Sequence, residues 1–144
     1  MRRTILAVGL AMALLFVGAL WQRAGWPVHV APGFPELTIE EFVTAIDHGD
    51  WDALSRLCTG ERCETAPSEL AALESATLLS LRPSKAEELR MVYDSRSDLS
   101  AVRILRAELE LKFADQHSES RTLDYVIVQK RSGGPWLVED WVEQ

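Results

Sequence analysis

Cysteine is almost absent from this 144-residue chain: there are two, Cys58 and Cys63, close together in CTGERC. That excludes a disulfide-framework miniprotein and supplies only half of a tetrahedral zinc site. Histidine is sparse as well, and His29, His48 and His117 lack the paired spacing of a zinc motif. Positive charge is missing where nucleic acid would need it. Three of the fifteen basic residues lie at or before Arg23, which leaves residues 24–144 with twelve basic and 22 acidic residues, a net charge of −10. Phosphate recognition needs a basic footprint, so this balance argues against nucleic acid and against anionic lipid headgroups as ligands. No G-x-S-x-G, P-loop or dinucleotide fingerprint, internal repeat or low-complexity tract occurs.

Long apolar runs are also lacking, with one exception. Thr4 to Trp21 are eighteen residues without a charge, after Arg2 and Arg3 and before Gln22 and Arg23. A helix of that length spans roughly 27 Å, close to the bilayer hydrocarbon thickness. The basic cluster at the start places the N-terminus inside and residues 24–144 outside the cytoplasm, with Trp21 and Trp26 at the outer interface. A cleaved signal peptide is the competing reading, because Val17-Gly18-Ala19 offers small residues for a peptidase. Both readings deliver the body to the same side. The segments expected are an anchor or signal over 1–23, a stiff Pro/Gly linker over 24–36 and one domain over 37–144, since some 120 residues hold one core and are too few for two.

An oxidising compartment lets Cys58 and Cys63 pair across four intervening residues, and a loop disulfide is expected; two buried free thiols are the alternative. Thr38 with Glu41 reads as a capping box for a helix carrying Ile39, Phe42, Val43 and Ile46 on one face and ending at Gly49. Asp50 caps a short second helix with Trp51, Leu54 and Leu57. Pro67 in a first turn, then Leu70, Leu73, Thr77 and Leu81, predicts a third helix that stops before Pro83. Beyond Pro83 the period falls to two. Leu89, Met91 and Tyr93 alternate with polar neighbours as a strand, with helix possible at its start. The clearest strand carries Leu105, Ala107, Leu109, Leu111 and Phe113 on one face. TLDYVIVQK and WLVEDWVE follow, joined through Gly133-Gly134-Pro135. Helices first and an antiparallel meander after them predict an α+β fold.

FVTAIDHGDWDALSRLC at the start and YVIVQKRSGGPWLVEDWVE at the end resemble the nuclear-transport-factor-2-like superfamily, with its cystatin-like fold, over about 105 residues. The resemblance implies a curved antiparallel sheet wrapped on helices as a cone with an internal pocket. Its members include isomerases, cyclases, dehydratases and many proteins without catalysis, some of them membrane-anchored and extracytoplasmic.

Such an enzyme wants a carboxylate or histidine base in an apolar pocket, with a tyrosine or second acid beside it. Tyr93, Asp124, Tyr125 and Asp140 are the residues to weigh. Asp140 shares a strand face with Trp136, Val138 and Val142, while Leu137, Glu139 and Trp141 share the other, so the register decides whether Asp140 is buried. Tyr125 alternates with Leu123 and Ile127 and reads as a core residue with its hydroxyl at the rim. His48 reads as a helix-end cation and His117 as a turn residue without a partner. Trp136 and Trp141 are five apart, and on a regular strand they point to opposite faces, making one of them a candidate interface anchor. No cofactor or metal is expected and no catalytic residue is assigned. The expected role is a membrane-anchored, extracytoplasmic, noncatalytic binding or assembly domain, with a protein partner or homodimer. An exported binder of a small apolar ligand is the alternative, and an isomerase- or dehydratase-like enzyme comes third. Intact mass of the membrane-extracted protein checks the anchor: an uncleaved chain is expected, and a mass matching cleavage after Ala19 contradicts it.

Overall fold

The computed structural model describes residues 34–144, so the anchor or signal over 1–23 and most of the linker lie outside the described residues. No helix among the described residues is long and apolar enough to cross a membrane. The order of elements is α1 (Pro35–His48), α2 (Trp51–Leu57), α3 (Glu61–Glu69), β1 (Leu73–Pro83), α4 (Glu87–Asp94), β2 (Ala101–Phe113), β3 (Ser118–Gln129) and β4 (Trp136–Glu143). The four strands form one antiparallel sheet in sequence order, β1-β2-β3-β4. The fold is α+β, as the sequence predicts.

The first helix starts earlier than expected. Pro35 occupies its first turn, where the missing N–H costs nothing, and the Thr38–Glu41 capping box does not form. Thr38 is fully buried inside the helix, and its hydroxyl donates to the Trp136 carbonyl at 3.4 Å. Gly49 does end α1 in the left-handed conformation (φ 60°), and Asp50 does cap α2 by accepting from the Ala53 N–H at 3.0 Å. The linker therefore yields to helix at Pro35, two residues before the expected domain boundary.

Two expected elements are corrected. The third helix ends at Glu69, with Pro67 inside it, and Leu73, Thr77 and Leu81 belong to strand β1. The pairing shows why the alternation was hidden. Ala76 faces Leu111, Leu78 faces Leu109, and then Leu81 faces Ala107, because the register shifts between Leu78 and Ser80. One extra residue in the strand spaces the inward side chains in a way that imitates a helix. The segment read as a strand, ELRMVYD, is helix α4. Ala86, Leu89 and Tyr93 recur at helical spacing and pack on Ile104, Val126 and Val128, while Met91 and Val92 stay exposed.

The sheet is thus covered on both faces. Its inner face carries Leu105, Ala107, Leu109, Leu111, Tyr125, Ile127, Trp136, Val138 and Trp141 against Ile39, Phe42, Val43 and Ile46 of α1 and Leu54 of α2. Its outer face carries the small cluster under α4. Beside that cluster Asp124, fully buried, receives both Nε and Nη2 of Arg106 at 2.8 Å. Burial opposes ionisation of Asp124, but the bonds from Arg106 and Ser84 outweigh it and hold its pKa below the usual carboxylate value. Each sheet edge is met at one point. Asp47 takes the Ala76 N–H at 2.9 Å on β1, and the Thr59 N–H reaches the Val138 carbonyl at 2.8 Å on β4.

The Asp124 pair makes a pH prediction. A carboxylate whose folded pKa is depressed adds stability above its unfolded pKa and loses it as pH falls through the folded value. Urea unfolding from pH 7 down to pH 2 should show this loss in the wild type and a flatter acid limb in Asp124→Asn. Arg106→Met should lower stability at pH 7, because it leaves the buried Asp124 carboxylate without its partner. An unchanged acid limb in Asp124→Asn contradicts the assignment.

Candidate functional site

β4 decides what the interior looks like. Ile127 pairs with Val138 and Val126 with Asp140, so Glu139 is an extra residue in the strand. The extra residue reverses the alternation beyond it. Trp136, Val138 and Trp141 all point inward, and Asp140 points outward. Trp136 and Trp141 are only 6% and 8% exposed, so the reading in which one of them is an exposed interface anchor is corrected.

Asp140 is likewise not inside an apolar pocket. Its carboxylate accepts from Arg62 Nε at 3.2 Å and from the Tyr93 hydroxyl at 3.3 Å. Burial, and then the neighbouring carboxylates of Asp140 and Glu139, push the Tyr93 hydroxyl up to about 12. Arg62, near the start of α3, also forks onto Glu69 (3.0 and 3.1 Å), donates to the Trp141 carbonyl at 3.1 Å and lies 4.7 Å over the Trp141 ring. Glu139 is held by Arg96 through one oxygen, and its second oxygen is buried without a partner among the described residues. Asp124 is committed to Arg106 on the outer face. His117, read as partnerless, stands between Asp115 and Glu119 and stacks on Phe113 at 4.4 Å. His48 ends α1, 3.8 Å from Asp47.

Cys58 and Cys63 lie at disulfide distance, with Cα atoms 5.6 Å apart. The pair has a definite place. Cys58 forms a parallel bridge with Val138 at the β4 edge, and Cys63 sits in the first turn of α3 beside Arg62. Gly60 between them adopts φ 82°, and a Cβ there would already touch Glu139. The bridge therefore ties the helix carrying Arg62 to the edge strand carrying Trp141.

Under Arg62 lies a cavity of about 260 Å³. Its wall is made by Phe42 and Ile46 of α1, Leu70, Leu73 and Ala76 before and within β1, Leu109 and Leu111 of β2, Leu123 and Tyr125 of β3, and Trp141 of β4. Arg62, Glu69, Arg121 and Glu143 complete the lining. These charges pair with one another or nearby: Arg62 with Glu69 and Asp140, Arg121 with Glu119 and, at 3.8 Å, Glu143. A larger hollow, about 810 Å³, is instead an open groove on the surface between α1, α2 and the start of β4. The interior cavity is the better site because α1, α3 and all four strands contribute to its lining and it reaches buried aromatic rings.

Tyr125 is 2% exposed and forms the floor of this cavity, edge-on to Phe42 at 5.9 Å and 6.4 Å from the Trp141 ring. Burial alone pushes its hydroxyl pKa up, so it stays protonated at neutral pH. The two carboxylates in the lining, Glu69 and Glu143, are paired with Arg62 and Arg121 at the rim. Of the four residues weighed for catalysis, Tyr125 lines the cavity, and Tyr93, Asp124 and Asp140 do not. No cluster of three or more metal-ligating side chains occurs among the described residues. Comparison with protein-family models, with curated proteins and with solved structures finds no match to this chain.

What sequence reasoning missed is the rim. Arg62, Glu69 and Arg121 carry no motif; their roles come from β4 turning Trp141 inward beneath Arg62. The available signal was composition: Trp136, Val138 and Trp141 share a face only if one residue between them is extra.

Proposed function

We propose that the domain binds a small apolar molecule in the cavity floored by Tyr125 and does so without catalysis. The observation that carries this reading is a partly open hollow of about 260 Å³ with a mainly apolar wall that reaches into the core, where close packing is the rule. An apolar cavity of roughly 150 Å³ accommodates benzene, so this one has room for a molecule somewhat larger than a single ring. Proton transfer needs a free base near neutrality, whereas the carboxylates of the lining, Glu69 and Glu143, are engaged by Arg62 and Arg121, and Tyr125 has a raised pKa. Binding is then the reading the side chains support.

The sequence supplies the rest of the proposal. The uncharged run from Thr4 to Trp21 and the basic residues before it support an anchored domain on the outer side of a membrane. An anchor suits a protein that takes up an apolar ligand near a bilayer, where such molecules partition. The helices-first order and the interior cavity are what the resemblance to the nuclear-transport-factor-2-like superfamily implies, and kinship with it is part of the same proposal. The role expected first from the sequence, an assembly domain with a protein partner, loses the exposed tryptophan that favoured it, since Trp136 and Trp141 are both buried.

The test uses the full chain labelled with 5-fluorotryptophan in lipid nanodiscs and titrated with cumene. The Trp141 fluorine resonance should shift saturably while that of Trp51, which does not line the cavity, stays in place. Ala76→Leu, which adds three carbons to the cavity wall, should weaken binding by about tenfold or more, equivalent to about 1.4 kcal/mol. Absence of a Trp141 shift, or equal binding by Ala76→Leu, contradicts the reading.

A further inference from the structure

We propose that the Cys58–Cys63 disulfide is a redox latch on the cavity: oxidised, it holds α3 at the mouth, and its reduction by a dithiol loosens α3 and releases the ligand. This rests on the cavity being a binding site and adds how that site is regulated.

α3 has little of its own to keep it in place. Of its residues ERCETAPSE, Ala66 alone is buried, so no apolar face presses on the core. Its start at Gly60 lacks a side-chain cap, and Pro67 has no N–H to give to the Cys63 carbonyl. A helix this short is marginal in water without tertiary support. The chain is fixed on either side of it, where the Thr59 N–H reaches the Val138 carbonyl and where Leu70 packs on the core. Residues 60–69 are thus a strap between two fixed points.

Two adjacent residues tie that strap down. Arg62 bonds to Asp140 at 3.2 Å and to the Trp141 carbonyl at 3.1 Å, and Cys63 is joined to Cys58. The two ties differ in kind. Arg62 and Asp140 are 39% and 32% exposed, so water and salt weaken their attraction. The disulfide is covalent, and its Cys58 half is rooted in the core, 7% exposed and bridged to Val138 on β4. Cys63, the half-buried partner, is the sulfur a thiolate can reach.

The strap matters to the cavity because Arg62 and Glu69, bonded to each other, are its share of the lining. A loosened strap lifts Arg62 off the Trp141 ring and takes away that part of the wall. The chemistry balances with a dithiol as reductant. Its thiolate attacks Cys63 Sγ, the S–S bond breaks, and the electron pair leaves on Cys58 Sγ, which takes a proton. Its second thiol then displaces Cys63, which leaves as a thiol while the reductant closes to its own disulfide. Two electrons and two protons pass to the protein. The bond joins residues only five apart in sequence, so it restrains the unfolded chain little, and its loss should open α3 locally while the sheet stays folded.

The experiment follows hydrogen exchange of the full chain in nanodiscs before and after dithiothreitol. Amides of residues 63–69 should exchange about tenfold faster after reduction, and those of β2 and β3 at an unchanged rate. On fluorotryptophan-labelled samples a neutral gadolinium chelate should broaden the Trp141 resonance more in the reduced state. Cumene affinity should fall about tenfold, equivalent to about 1.4 kcal/mol, and reoxidation should restore it. Cys58→Ser/Cys63→Ser should behave as the reduced protein does and ignore dithiothreitol. If the α3 amides exchange equally in both states, or if oxidised and reduced protein bind cumene equally, the disulfide is no latch and this inference fails while the cavity reading stands. If cumene leaves Trp141 unmoved in the oxidised protein, the cavity reading fails and this inference falls with it.

Discussion

One extra residue in β4 organises the interior of this protein. Between Val138 and Asp140 the strand carries Glu139 without a partner on β3, and the side-chain alternation reverses there. Trp141 is thereby turned to the same face as Trp136 and Val138, where it meets Phe42 at 5.7 Å. Asp140 is turned the other way, toward Tyr93. Arg62 exploits both results: its guanidinium stacks on the ring that turned in and bonds to the carboxylate that turned out. The Cys58–Cys63 pair then holds the first turn of α3 against the same edge strand. Without the extra residue Trp141 would leave the core and Arg62 would lose the ring beneath it.

The cavity is a consequence of how that face is filled. α1 lays Phe42 and Ile46 over the sheet, and α3 contributes only a charged rim and Ala66 rather than large apolar side chains. Small Ala76 opposite Leu111 leaves room on the β1 side. The space that results is bounded by aromatic and aliphatic groups, Tyr125 among them, with charged side chains at its rim. A domain selected purely for stability gains by filling such a space.

Much of the architecture was legible from sequence, and the failures share one cause. The alternation from Leu105 to Phe113 is unbroken and β2 follows it; Gly49 and Asp50 mark a real helix end and a real cap. The errors arise where a strand carries an extra residue or a segment satisfies two periods. In β1 the shift between Leu78 and Ser80 spaces Ala76, Leu78 and Leu81 irregularly, so a strand resembled a helix. In α4 the packed residues Leu89 and Tyr93 are four apart, a spacing common to strand and helix, and only Ala86 distinguishes the two. In β4 the extra Glu139 made two tryptophans look as if they faced opposite ways. The site suffered from the same cause: Tyr125 was named, but the rim of Arg62, Glu69 and Arg121 depends on chain folding across some sixty residues that no local spacing records.

The central claim is that the inner face of the sheet encloses an apolar space open to a ligand. Methyl NMR spectra of the full chain under xenon pressure address it without any assumption about ligand chemistry, because xenon enters dry apolar cavities. The account predicts saturable shifts at the methyl groups of Ile46, Leu109, Leu111 and Leu123, which line the cavity, and none at Val126 and Val128 in the packed cluster under α4. Uniform small shifts across both clusters would mean that the interior is packed solid, and would contradict it.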